Sequence, residues 1–386
     1  MQSGFRAGHG CTSATPKVLN DIITTIDKRQ YCAAVFIDLA KAFDSVNHRI
    51  LIGRLNSLGF SNDCLAWFTN YFSDRVQCVK SEGLLSGPLA VSMGVSQGSI
   101  LGPTLFSVYI NDVALAAGDS LIHLYADDTI LYISGPSLDT VLTTLQTSFN
   151  AIQLSFHGLQ LLLNASKTKC MLFNRSLPAP ARPSITTLDG SDLEYVDNYK
   201  YLGAWLDCKL SFQTHIKHLQ TKIKSRIGFL FRNKASFTHA AEHTLVKLTI
   251  LPILDFGDVI YKITSNTLLN KLDAVYHSAI RFVTKASYTT HHCDLYTLVG
   301  WPSLHTRRQT HWLQVIYKSL LGKAKPNLSS LVTIATPTRS MRSSRHISLV
   351  IPKANSSFDH LSFQFSAAND WNKLQKSLKL ETYLPH

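Results

Sequence analysis

Paired cysteines, long apolar runs and, in its second half, acidic side chains are all scarce in this chain of 386 residues. The seven cysteines, at positions 11, 32, 64, 78, 170, 208 and 293, are odd in number, scattered and free of any C-x-x-C pair. That pattern excludes a disulfide framework and reads as reduced intracellular thiols. No apolar run has membrane-spanning length, and MQSGFRAGHG lacks the apolar core of a signal peptide. The expectation is a chain without a transmembrane segment, not secreted, that works in the nucleus or cytoplasm. No G-x-x-x-x-G-K-[ST] loop is present, which excludes a P-loop motor. His291-His292-Cys293 and the trio Cys208, His215, His218 lack the ligand spacing of a zinc site and read as structural.

What is present is a chain of 45% hydrophobic residues, long enough for two or three domains and a large core. Its formal net charge of +13 is unevenly spread. Residues 1–205 carry 14 basic and 16 acidic side chains, a balance of −2, whereas the rest carry 24 and 9, a balance of +15. Such asymmetry implies an acidic working centre joined to a basic grip for a phosphate backbone, the alternative being a solubilising surface. The few acids beyond residue 205 give no ribonuclease H centre.

Apolar periodicity predicts helices over 17–29, within 47–75, over TLFSVYIND, over 137–157 and over 212–230. YCAAVFID reads as a buried central strand ending in a carboxylate, and LIHLY and TILYI as a hairpin with Asp127 and Asp128 near its turn. EYVDNYKYLGAWLD alternates like a second hairpin, and the Pro-rich SLPAPARPS at 176–184 reads as a surface loop. Mixed strands and helices with acids on strand ends favour an α+β sheet domain followed by a basic helical one.

Asp38, Asp127 and Asp128 carry the chemistry. Two adjacent carboxylates in an apolar run repel each other and lose water, a cost that a bound cation offsets. Together with Asp38 they would form a site for two divalent cations about 4 Å apart. Oxygen-only ligands suit Mg²⁺ better than zinc. An isolated aspartate pair also serves as a turn or helix cap.

FIDLAKAFDSVNH (36–48), GVSQGSILGPTLFSVYIND (94–112) and YADD (125–128) follow one another with 59 residues from Asp38 to Gln97 and 30 from Gln97 to Asp127. This series resembles the palm of reverse transcriptases, specifically those of non-LTR (LINE-type, Jockey-like) retrotransposons. GLQLLLNASKTKCMLF (158–173), YKYLGAWLD (199–207) and, more loosely, WNKL near the end extend the resemblance over almost the whole chain. It implies an α+β right-hand polymerase palm, an antiparallel sheet with helices, followed by a helical thumb and a mostly helical C-terminal region. By residue it implies a palm with partial fingers over 1–205, a basic thumb-like domain over 206–290 and a region of unknown role over 291–386.

The implied function is RNA-directed DNA polymerisation by two-metal nucleotidyl transfer to a primer 3′-hydroxyl, on an RNA template with deoxynucleoside triphosphates. Asp38, Asp127 and Asp128 resemble the metal ligands, with the Leu39 carbonyl as a further one, for two Mg²⁺ ions or Mn²⁺ in their place. Lys167 resembles the lysine proposed to protonate the leaving pyrophosphate, against the alternative of a solvated lysine. Phe43 is similar to the aromatic under the sugar that excludes a 2′-hydroxyl, against the alternative of a plain core phenylalanine. Gln97 and Gly98 resemble the turn that lines the incoming nucleotide and template, and Tyr201, Leu202 and Gly203 the hairpin that holds the primer end, the alternative in each case being an ordinary tight turn. Lys217, Lys222, Lys224 and Arg226 would lie along the template–primer backbone, or else form a solvated helix face.

Two features depart from the family pattern. Ser96 stands where a proline usually precedes the Gln-Gly, removing a φ restraint. QSGFRAGHG normally follows a fingers segment with an arginine that grips the triphosphate, and here Met1 directly precedes it, so the chain reads as N-terminally truncated. The alternatives are an inactive truncated relic that only binds nucleic acid, and a metal-dependent nuclease, against which the Phe43 and Gln97 pattern speaks.

Overall fold

A computed structural model describes residues 2–6, 10–173, 183–324, 326–335, 347–356 and 358–378. The Pro-rich surface loop expected at 176–184 lies mostly outside them. Two compact units emerge, one within Met1–His9 and Arg29–Val196, the other within Gly10–Lys28 and Asp197–His386.

The first unit is built on five strands: β1 (Tyr31–Ile37), β2 (Leu121–Tyr125), β3 (Asp128–Gly135), β4 (Lys169–Phe173) and β5 (Glu194–Tyr195). Their order is β5-β4-β1-β3-β2, antiparallel throughout except for the short parallel pair β4–β5. β1 is central because its residues are apolar on both faces, and Cys32 to Ile37 are all buried. Alternate β1 residues Ala33, Val35 and Ile37 join a core with Leu131 and Leu172. The helix Leu138–Gly158 closes that face with Leu142, Leu145, Phe149, Ile152 and Phe156. Leu145, Phe149 and Ile152 recur at helical spacing and have no exposed area. Helices His48–Ser57, Asn62–Phe72 and Gly102–Ile110 belong to the same unit.

The second unit is mainly helical. A hairpin pairs Asn198–Tyr201 with Ala204–Asp207, and the Asp207 carboxylate accepts the backbone N–H groups of Lys209 (3.1 Å), Ser211 (2.9 Å) and Phe212 (2.7 Å). Those bonds hold the entry to the helix Gln213–Arg232, which buries Ile216, Leu219, Ile223, Ile227 and Leu230. It packs on the helix Asn266–Thr284, where Phe231 and Phe282 meet edge to face at 5.1 Å. Asp370 on the helix Phe363–Leu378 accepts from Lys262 (2.6 Å) and Trp312 (3.0 Å), and Lys262 lies 4.1 Å over the Trp312 ring. The helix expected at 17–29 runs instead from Cys11 to Asp27 with Pro16 inside it, and it belongs to this unit.

Replacing Phe149 by alanine empties space between helix and sheet that no neighbour can fill without leaving its rotamer. We expect a loss of about 3–5 kcal/mol in unfolding free energy, measured by urea titration.

Candidate active site

The turn between β2 and β3 has only two residues, Ala126 and Asp127, because Tyr125 pairs with Asp128. So tight a turn needs a left-handed residue, and Ala126 takes it with φ 56°. A side chain with a Cβ pays roughly 1–3 kcal/mol for such backbone, and strain of this kind clusters at functional sites. β1 pairs Phe36 with Ile130 and Ile37 with Thr129, so Asp38, one residue further, arrives opposite Asp128. Adjacent strands lie about 5 Å apart, which brings three acids from two distant segments to one end of the sheet.

Asp38 is fixed by its backbone. Its N–H donates to Thr168 Oγ1 at 3.2 Å and its carbonyl accepts from Asn164 N–H at 2.9 Å. The same Asn164 carbonyl accepts from the N–H groups of Lys167 (3.2 Å) and Thr168 (2.9 Å). The turn 164–168 is therefore tied to Asp38, and it carries Lys167 with an exposed side chain. Leu39, next to Asp38, pairs with Leu163 in a short antiparallel ladder.

Electrostatics at this end of the sheet is unfavourable without a counter-ion. Burial, and then the Asp38 charge, push the Asp127 carboxyl above the usual carboxylate range. Asp128, although partly open to solvent, is pushed up to about 6 by burial first and by Asp127 and Asp38 next. Among the described residues no ion pair joins a cation to any of the three acids. An all-oxygen, uncompensated anionic cluster is the donor set that hard divalent cations take.

Two other groups bring three ligand atoms within 4.8 Å of one another: His291, His292 and Cys293, and Asp255, Asp258 and His311. Among the described residues, Asp38, Asp127 and Asp128 do not form such a group. In the second group Asp255 accepts from Arg307 (3.0 Å) and Asp258 meets His311 (2.6 Å), an ion-pair network. In the first, all three side chains are exposed and His291 accepts the Cys293 N–H at 3.4 Å as a helix cap. Cys208, His215 and His218 form no such group among the described residues.

Beside the acids, the stretch after β1 docks on the loop that carries Gln97. Val95 N–H donates to the Phe43 carbonyl at 2.9 Å, Gly94 N–H to that of Val46 at 2.8 Å, and Gln97 Nε2 to Asp44 Oδ1 at 3.0 Å. Gly94 has φ 90°, and a Cβ there would sit 2.9 Å from the Asp44 carbonyl oxygen. Phe43 stacks on Phe106 at 4.2 Å with Phe5 edge-on at 5.9 Å, so the ring is half-buried and held on two sides. Gly98 has φ 81° in the following turn, where Ser99 Oγ donates to the Ser96 carbonyl at 2.7 Å.

Lys41, Asp44, His48, Arg75 and Gln97 line a cleft of about 820 Å³ in this unit. The sequence reading missed Lys41, His48 and Arg75. Lys41 stands three residues after Asp38, but a lone basic residue there carries no signal, and Arg75 reaches the cleft only through folding of the 76–90 ladders.

In the second unit Tyr201 and Leu202 are buried and Gly203 is exposed at the hairpin tip. Lys217, Lys222, Lys224 and Arg226 are exposed along the helix Gln213–Arg232, and Arg226 donates to the Thr249 carbonyl at 2.9 Å.

A strand–turn–strand bearing two aspartates, a third aspartate just past the end of the neighbouring strand and a covering helix are the layout of a polymerase-type palm. Residues 1–206 match the family described as Reverse transcriptase (RNA-dependent DNA polymerase), and the chain belongs to that family. Its relatives put it with the non-LTR, LINE-type elements. It is 30% identical over 301 residues to the RNA-directed DNA polymerase from mobile element jockey of Drosophila funebris, covering 75% of this chain and 32% of that protein. It is also 30% identical over 341 residues to the probable RNA-directed DNA polymerase from transposon BS of Drosophila melanogaster, covering 84% of this chain and 37% of that one. The chain thus spans about a third of the length of these relatives. Among solved structures it is similar to telomerase from Candida tropicalis, with 11% identity and a TM-score of 0.38 over 77% of this chain and 54% of that one, too distant to carry an argument. No helix among the described residues is long and apolar enough to cross a membrane.

The raised acids give a pH-dependent prediction. A carboxyl near 6 when folded and near 3.8 when unfolded costs stability above pH 6, a cost that vanishes below pH 4. In metal-free protein, Asp128→Asn should therefore raise Tm modestly, by roughly 2 °C at pH 7.5, given the group's partial exposure. The gain should disappear at pH 3.5, as read by scanning calorimetry.

Proposed function

We propose that this chain extends a DNA primer on an RNA template, as the palm, thumb and C-terminal region of a non-LTR retrotransposon polymerase. The observation that carries this reading is the β1–β3 register, which sets Asp38 opposite Asp128 and beside the Asp127 turn. Residues 1–9 and 29–196 would be palm with partial fingers, and 206–290, within the second unit, the thumb. The enzyme would work in the nucleus or cytoplasm, where scattered free cysteines stay reduced.

Asp38, Asp127, Asp128 and the Leu39 carbonyl would hold two Mg²⁺ ions, for which Mn²⁺ can substitute. When bound, the ions lower the pKa of the primer hydroxyl and neutralise charge developing at the transferred phosphoryl group. The chain's own residues do the positioning. Lys41, Arg75 and Gln97 would present cationic and amide donors to a triphosphate in the cleft. Phe43, braced by Phe106, would lie under the sugar and leave no room for a 2′-hydroxyl. Lys167, on the turn tied to Asp38, would give its proton to the departing pyrophosphate oxygen.

Tyr201, Leu202 and Gly203 would support the primer end. Lys217, Lys222, Lys224 and Arg226 would contact phosphates, setting affinity without reading sequence.

Primer extension on an RNA template with Mg²⁺ tests the reading. The wild-type chain should incorporate deoxynucleotides, and Asp127→Asn should lower incorporation by roughly 100-fold or more, because even groups that merely orient metal ligands contribute 10–100-fold. A chain that binds RNA–DNA hybrid yet incorporates nothing in either form would instead be a relic, and cleavage without nucleotides would mark a nuclease. In the active chain Phe43→Ala should admit ribonucleotides more readily, by about tenfold relative to deoxynucleotides. Unchanged sugar selectivity removes that role.

A further inference from the structure

The strained turn that presents Asp127 is not held by the sheet alone. Gln2, with no exposed area, reaches it from far away in sequence. Its Oε1 accepts the Ala126 N–H at 2.9 Å and its Nε2 donates to the Ala126 carbonyl at 3.3 Å, so one side chain satisfies both backbone groups of the left-handed residue. The same Oε1 also accepts the Gly4 N–H at 2.7 Å, which fixes the amide's orientation.

The rest of the segment locks this arrangement. Ser3 N–H donates to the Leu124 carbonyl at 2.8 Å, and Ser3 Oγ lies 3.0 Å from Nε2 of the buried His123. Residue 2 also bridges Leu124 in the manner of a parallel strand. Gly4 presses against the turn itself: a Cβ there would lie 2.3 Å from the Ala126 nitrogen, so no other residue fits without moving the turn.

A tight turn with a Cβ at positive φ relaxes unless its surroundings over-determine it. Two hydrogen bonds to one residue, made in a buried place, do so. We propose that Gln2 is a positioning residue: it holds Ala126 in its left-handed conformation and so fixes the direction in which Asp127 and Asp128 present their carboxylates. This rests on the polymerase reading only for its consequence, metal binding. The geometric part stands without it. A merely structural role, docking of residues 2–6 onto β2, would be served by the backbone bond of Ser3 and would not need the amide of Gln2.

The test compares the full chain with Gln2→Met, which keeps the side-chain length and removes its hydrogen bonds. Ile152→Val, a core change remote in sequence from the turn, serves as a control for general destabilisation. Amide hydrogen exchange in metal-free protein reads the turn directly. In Gln2→Met, peptides covering 124–130 should exchange about tenfold faster while those covering 138–158 do not change, since a lost buried hydrogen bond opens its surroundings locally. Titration with Mn²⁺ followed by electron paramagnetic resonance reads the consequence. Mn²⁺ that depends on Asp127 should bind roughly 10- to 100-fold more weakly to Gln2→Met than to the wild type or Ile152→Val.

Unchanged exchange over 124–130, or an equal acceleration over 138–158, overturns the proposal. Exchange that quickens at the turn with Mn²⁺ affinity unaltered overturns the claim that the turn's direction serves the acids. A wild-type chain with no Asp127-dependent Mn²⁺ binding contradicts the polymerase reading instead, and the exchange comparison then decides the role of Gln2 by itself.

Discussion

Repulsion among three carboxylates at one end of a sheet is the constraint around which the first unit is organised. Backbone register puts them there: Ile37 opposite Thr129 leaves Asp38 no place but the neighbourhood of Asp128, and a two-residue turn adds Asp127. Burial first, and the neighbouring acids after it, push the Asp127 and Asp128 carboxyls above the usual range. The surrounding elements resist splaying through the backbone. Thr168 and Asn164 grip Asp38 from one side, while the left-handed Ala126 fixes the other. None of these contacts neutralises charge. Strain and hydrogen bonds keep like charges together, an arrangement that a bound cation would stabilise.

Much of this organisation is legible in the sequence, for identifiable reasons. β1 announces itself because a strand buried on both faces must be apolar at every position, and the helix Leu138–Gly158 because its buried side recurs every three or four residues. The β2–β3 hairpin is readable from apolar runs on either side of two acids. The contacts that position the site are not. Gln2 carries no periodicity and sits 124 residues from Ala126, and Thr168 reaches Asp38 across 130 residues. Polar residues that serve a distant backbone group look like any surface residue until the chain is folded. The cleft residues Lys41, His48 and Arg75 escaped for the same reason. The helix Cys11–Asp27 begins earlier than the periodicity of Val18, Ile22, Ile23 and Ile26 indicates, because its first turns, with Pro16 inside the helix, lie ahead of that apolar stripe.

The two units divide the labour that the charge count foreshadows. Acids and the cleft lie in the first, which is close to neutral; the exposed cations of the helix Gln213–Arg232 lie in the second, which holds the excess of positive charge. In the proposed reading the acids of the first unit serve the reaction and the cations of the second hold a phosphate backbone. The second unit also carries its own ionic supports, Lys262 with Asp370 and Asp258 with His311, each partly or wholly shielded from water. These tie helices distant in sequence and involve none of the residues assigned to catalysis.

Anomalous scattering from crystals of the full chain grown with Mn²⁺ tests the central claim most directly. The account predicts manganese peaks at the end of β1 and β3, about 2 Å from carboxylate oxygens of Asp38, Asp127 and Asp128. Peaks confined to other residues, or three carboxylates turned apart with no ion among them at saturating metal, would contradict it.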